Sequence, residues 1–243
     1  MRKYLIAAIA ALASIALASV AIAQTGESEG DVSATTSVSP SKAGTKKKPK
    51  AAKVTTFVKN NVPNTTASKI EIDFPKNVKI SGKGLTKCAV SEFSKPGGKS
   101  NCPSKSKAGT GVANAVVGPE RAPLVFDVTA YVGGKNLVIF YIEQRGGTVT
   151  KALQGKISSA SGKFKQKLVI TIPPDLQQPA PGLYAALVDL RSTLSAKKGK
   201  NSLISTLGCT KKKHTFGAKL TFAPNPAPPP QSTATGESTA KCS

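Results

Sequence analysis

Between residues 124 and 143 two apolar runs flank Gly133-Gly134, and this pattern constrains the fold more than any other feature of the chain. A glycine pair between runs rich in Val, Ile, Phe and Tyr makes a hairpin. With an even number of loop residues, Leu124, Phe126, Val128 and Ala130 share a face with Leu137, Ile139 and Tyr141, while Val125, Thr129, Tyr131, Val138, Phe140 and Ile142 share the other. Both faces are then largely apolar, so the hairpin must sit between packed layers.

The same period of two runs through the rest of residues 53–223. Ile70, Ile72 and Phe74 oppose Lys69, Glu71 and Asp73, and Leu168, Ile170 and Ile172 oppose Lys167, Val169 and Thr171. Leu183, Ala186, Leu187, Leu190 and Leu194 also fit helical spacing, but Pro179 and Pro181 precede them and Thr193 lies within, and we assign a strand. The expected fold is all-β: an antiparallel β-sandwich, immunoglobulin-like or jelly-roll-like, over residues 53–223. Residues 24–52 are rich in Ser, Thr and Lys with Val32 and Val38 as their only large aliphatics, and they read as a disordered linker. Residues 224–243, rich in Pro, Ser and Thr, read as a tail pinned by Cys242.

Met1-Arg2-Lys3, the apolar stretch 4–18 and Ala21-Ile22-Ala23 follow the layout of a secretory signal peptide, expected over residues 1–23. The expected mature protein is secreted, extracellular or cell-envelope associated, with no transmembrane anchor after cleavage. The formal net charge of the chain is +23. Cleavage removes only Arg2 and Lys3 from that excess and leaves Arg121, Arg145 and Arg191 as the arginines. The positive field is thus almost wholly lysine, a hydrated point charge without the fork that reads phosphates or bases bidentately.

An even cysteine count in an exported chain means disulfides by default. Four cysteines allow three pairings; the local one, Cys88 with Cys102 and Cys209 with Cys242, is expected because turn formers fill 94–101 and a cross-link would strap the tail to the domain. Neither pair has the spacing of a zinc or redox site, so no metal and no cofactor is expected. The run Cys102-Pro103-Ser104-Lys105-Ser106-Lys107-Ala108-Gly109-Thr110-Gly111-Val112-Ala113, with Cys88 upstream, resembles a block in uncharacterised secreted proteins of soil actinobacteria: Cys-Pro, a Ser, then Gly-Thr-Gly-x-Ala. The resemblance covers about residues 85–118, with a looser echo in Cys209 and Cys242. It implies a secreted β-sandwich with local disulfides and transfers no activity. Gly109 and Gly111 would permit positive φ or close backbone approach.

The chemistries that need a constellation fail one by one. Gly98-Lys99-Ser100 lacks the upstream glycine of a phosphate-binding loop, because position 93 is Phe93. Ser-x-x-Lys at Ser39, Ser104 and Ser195 lacks the partner motifs of the penicillin-binding enzymes and is a coincidence of lysine abundance. His214, the only histidine, follows Lys211-Lys212-Lys213 and reads as a surface residue rather than a triad base. An even loop puts Asp127 and Glu143 on opposite faces; Glu71 and Asp73 share a face but suit an ordinary polar strand. No catalytic residue is expected.

What remains is the lysine distribution: Lys46, Lys47, Lys48 and Lys50; Lys197, Lys198 and Lys200; Lys211, Lys212 and Lys213. They either solubilise the protein or adhere to an anionic partner such as envelope polymers or lipid headgroups. Specific nucleic-acid binding is disfavoured by aromatics that fall in apolar strands. The expected function is a non-enzymatic, basic binding module. Its rivals are a secreted hydrolase using carboxylates and a purely structural envelope domain.

Overall fold

The computed structural model describes residues 30–62, 64–224 and 232–243; the expected signal peptide lies outside these. In chain order the elements are β1 (Val32–Ser39), β2 (Lys50–Ala51), β3 (Lys53–Asn60), β4 (Ala67–Pro75), β5 (Val78–Ile80), β6 (Lys107–Val117), β7 (Ala122–Gly134) and β8 (Leu137–Gln144). There follow β9 (Thr150–Ser159), β10 (Phe164–Thr171), the short helix α1 (Pro174–Gln177), β11 (Ala185–Leu194), β12 (Lys197–Lys198), β13 (Asn201–Ser202), β14 (Ile204–Thr206), β15 (Lys213–Phe222) and β16 (Thr233–Lys241). The all-β, antiparallel expectation holds.

Its apolar layers are opposite walls of one eleven-stranded sheet in the order β1-β3-β11-β6-β7-β8-β9-β10-β4-β15-β16. Every step is antiparallel, so β1 and β16 run the same way. These edge strands meet, with Thr36 Oγ1 2.7 Å from Ser238 Oγ, and the sheet nearly closes into a barrel. Near-closure leaves little unpaired edge to recruit another strand.

A second sheet, β2-β14-β5, lies across one end. β2 and β5 adjoin the barrel strands β3 and β4 in sequence, and Ile80, Leu203 and Ile204 at this sheet are fully buried. Above this plug the interior is filled by aromatic packing, with Phe74 and Phe216 edge to face at 5.7 Å. Burying each ring stabilises the fold by roughly 2–3 kcal/mol. The opposite end, where residues 118–121, 145–149 and 172–184 connect the strands, is the mouth.

The central hairpin corrects one expectation. Its register shifts between Val132 and Gly134, a bulge that changes which residues share a face. Phe126, Val128, Ala130 and Val132 therefore face the main core with Val138, Phe140 and Ile142. Tyr131, Ile139 and Tyr141 face outward into a separate small cluster under Phe93 and Cys88. Gly133 carries the bulge because a Cβ there would lie 2.8 Å from Leu137 Cγ and Cδ2. Both faces are apolar as expected, but the partners are exchanged.

Two segments expected to be unstructured are strands. The linker expected over 24–52 is ordered within it: β1 alternates buried Val32, Ala34, Thr36 and Val38 with more exposed Ser and Thr. The tail expected over 224–243 contains β16, whose buried positions are Ala234, Gly236, Ser238 and Ala240. Period two is present in both, with inward side chains too small to announce a core. The strand expected from Leu183 to Leu194 is β11, and both cross-links form as expected, Cys88–Cys102 and Cys209–Cys242.

Candidate functional site

The three lysine clusters are far apart in sequence and meet at the closed end of the barrel. Residues 40–52 connect β1 to β3 there, residues 195–203 connect β11 to β14, and residues 207–212 lead into β15. Hydrogen bonds tie these connections together: Gly44 N–H donates to Thr206 Oγ1 at 3.0 Å, Ala43 N–H to the Ser243 carbonyl at 2.7 Å, and Cys242 N–H to the Lys212 carbonyl at 3.0 Å. Lys50 pairs with Thr206, and Lys197-Lys198 form a small hairpin with Asn201-Ser202. Lys46, Lys47, Lys48, Lys197, Lys198, Lys200, Lys211, Lys212 and Lys213 are exposed, and Lys50 is half-buried. The ion pairs of the described residues use other lysines. Asp31, Glu120, Asp175 and Asp189 lie toward the mouth, away from these clusters.

Lys211 and Lys212 both have left-handed backbones, with φ of 54° and 56°. They form the two-residue turn that Thr210 and Lys213 bracket, where Asn-Gly is the usual solution. Each non-glycine residue in that region costs roughly 1–2 kcal/mol. Two adjacent lysines are therefore held at an energetic cost within one of the lysine clusters.

His214 corrects a second expectation. Its neighbours in sequence are exposed lysines, but strand alternation turns His214 inward, where it is completely buried opposite Ala240. Neither ring nitrogen has a hydrogen-bond partner among the described residues. Burial holds its pKa below the usual value. The unfolded imidazole titrates near about 6.5, so below that pH the unfolded chain binds more protons than the folded one. Stability is then full above about pH 6.5 and is lost as pH falls from there through the folded pKa. We expect denaturant midpoints to fall on acidification in the wild type and to fall less in His214→Leu; parallel curves would refute the assignment. Removing an unsatisfied buried polar group should also stabilise His214→Leu by about 1 kcal/mol at neutral pH.

The carboxylates are the third correction. Asp127 and Glu143 stand directly opposite each other on one outward face, because the bulge reverses the parity. Each has its own cation. Arg145 donates to Asp127 Oδ1 at 2.6 Å and its hydrogen bonds hold that carboxyl below the usual range, while Lys99 pairs with Glu143, a contact that raises the lysine. General acid catalysis needs a carboxyl pushed up, which Asp127 is not. Glu71 and Asp73 share an outward face as expected; Lys167 bonds Glu71 at 3.0 Å, and burial, with Glu71 beside it, raises Asp73. The described residues contain no group of three metal-ligating side chains.

A feature absent from the sequence reading is a cavity of about 590 Å³ inside the mouth. Ala113, Ala115, Phe126, Phe140, Ile142 and Ile170 are among its walls, and Leu176, Pro179, Ala180 and Leu183 form a lid from residues 173–184. Lys151 on β9 pairs with Asp175 in α1 and fastens the lid to the rim. Alanines on strands that otherwise carry Val and Leu were the available signal. No protein-family model, curated protein or solved structure matches this chain.

Proposed function

We propose that this protein is an exported, non-catalytic module that adheres to an anionic polymer through the lysine-covered closed end of its barrel. The observation that carries the reading is the convergence of three separate lysine clusters on one end, with two of the lysines held in a strained turn. Clustered exposed cations raise the local concentration of a polyanion and speed its capture, in a way that salt weakens. Lysine rather than arginine favours diffuse attraction over recognition of one phosphate or carboxylate geometry. All four cysteines are cross-linked, which suits an oxidising destination beyond the signal peptide.

Inorganic polyphosphate of defined length is a suitable probe. Affinity should fall by about tenfold or more between about 50 and 200 mM salt. It should also fall when the ten lysines are replaced by glutamine, and persist when they are replaced by arginine. Vesicles containing anionic phospholipid test lipid as the partner, and binding restricted to them would replace the polymer by a membrane surface. Binding indifferent both to salt and to the glutamine substitutions would refute the reading.

The strained turn supplies a sharper test. Lys211→Asn with Lys212→Gly should raise stability by about 1–2 kcal/mol, because both residues tolerate the left-handed region, while lowering polyphosphate affinity. Opposite signs in the melting curve and the binding isotherm are expected. A more stable variant with undiminished affinity would mean that Lys211 and Lys212 serve no partner.

A further inference from the structure

The cavity in the mouth lies at the other end of the barrel from the lysines and calls for a separate account. Interiors pack with few voids larger than a water molecule, so about 590 Å³ is not a packing defect. It falls within the range of roughly 300–1,000 Å³ typical of small-molecule sites. The space is built in by side-chain choice. Ala113, Ala115 and Ala185 line it where larger residues would fill it, whereas the interior nearer the plug is filled by Phe74, Phe216 and Leu168.

We propose that the mouth binds a single neutral, hydrocarbon-rich small molecule. Neutrality follows from the charges. Lys151 and Asp175 are the charged side chains lining the cavity, and they are paired with each other, which leaves no spare charge to compensate an ion. Taking an unpaired charge into such surroundings costs several kcal/mol. An apolar ligand needs no such compensation and gains from every wall it touches.

The lid is also suited to this ligand. Leu183 is the one large hydrophobic among the described residues that is exposed, at 41%, and it borders the cavity. Gly182, with φ of 77°, and the Ala180–Leu183 bridge form the tight turn that presents it. Leu176 reaches the main core from the same segment, and Gln177 Nε2 donates to the Ile172 carbonyl at 2.6 Å to hold the base of the lid. A ligand in the cavity would cover Leu183 and remove its apolar surface from water.

N-phenyl-1-naphthylamine, neutral and fluorescent in apolar surroundings, is the probe. The chain has no tryptophan, so Leu183→Trp introduces a single energy donor at the lid without disturbing the core. Saturable 1:1 binding is expected, with Trp emission largely quenched at saturation and a raised melting temperature. Dodecanol should displace the probe, and dodecanoate should do so about tenfold less well because its charge must stay outside. Ala115→Phe with Ala185→Phe should abolish binding in a protein that still melts cooperatively; if that variant does not fold, the Trp quenching decides. Absence of saturable binding, undiminished Trp emission at saturation, or stronger displacement by the carboxylate would each overturn the proposal. Binding should be insensitive to salt and to the lysine substitutions, so failure here leaves the polyanion reading standing, and the reverse.

Discussion

Replacing Cys209 and Cys242 together by alanine should lower the melting temperature by roughly 10 °C, the larger effect of the two cross-links. The pair spans 33 residues, and restricting that loop in the unfolded chain is worth about 4 kcal/mol. For a chain of this size each kcal/mol corresponds to roughly 2–4 °C. Cys88 and Cys102, 14 residues apart, restrict a shorter loop worth about 3 kcal/mol.

The native state adds to the difference. Cys242 anchors the end of β16, whose inward residues Ala234, Gly236, Ser238 and Ala240 bury little apolar area. Hydrogen bonds to β15, the Thr36–Ser238 contact and the disulfide help to hold this strand where the sheet closes. Without the cross-link, amide exchange should accelerate first in β16 and β1. Losing Cys88–Cys102 should instead uncover Tyr131, Ile139 and Tyr141 on the outer wall and leave the closure intact. Equal melting temperatures and equal exchange in β16 for the two double variants would show that the barrel closes without its clip.

What could be read from the residues follows the size of the buried side chains. Strands carrying Ile, Leu, Phe and Val on alternate positions, such as β4 and β10, declare themselves by period two, and so does the local cysteine pairing. β1 and β16 alternate as regularly, but with Ala, Gly, Ser and Thr inward, and that pattern looks like a linker. One residue of bulge at Gly133 was enough to exchange the faces of the central hairpin, and with them the placement of Asp127 against Glu143. Parity is set by a local backbone choice that composition does not encode. His214 illustrates the same limit: its lysine neighbours suggested solvent, while its place on β15 decided burial. The lysine clusters themselves were legible; their convergence was not, because it depends on the order of strands around the barrel.

Gly109→Ala should cost at least about 3 kcal/mol, as expected where overpacking has no flexible side chain to absorb it. A Cβ at Gly109 would lie 1.8 Å from the Thr193 carbonyl oxygen and 2.9 Å from the Thr193 carbonyl carbon, both backbone atoms of β11. Gly111, two residues on, would meet the Arg191 oxygen at 2.3 Å. Of the two roles the sequence left open for these glycines, close backbone approach is the one the barrel uses. Relief requires β11 to move away from β6. That movement would break the bond from Ser195 N–H to the Ala108 carbonyl, 2.7 Å, and drag Leu194, which leads toward the plug through Leu203 and Ile204. Gly162→Ala is the control: φ is 65° and nothing lies within 4 Å, so only backbone strain of about 1–2 kcal/mol is expected. Denaturant midpoints measured at unchanged m-value separate the two cases. If Gly109→Ala proves no more costly than Gly162→Ala, the close contact between β6 and β11 is not what fixes glycine at this position.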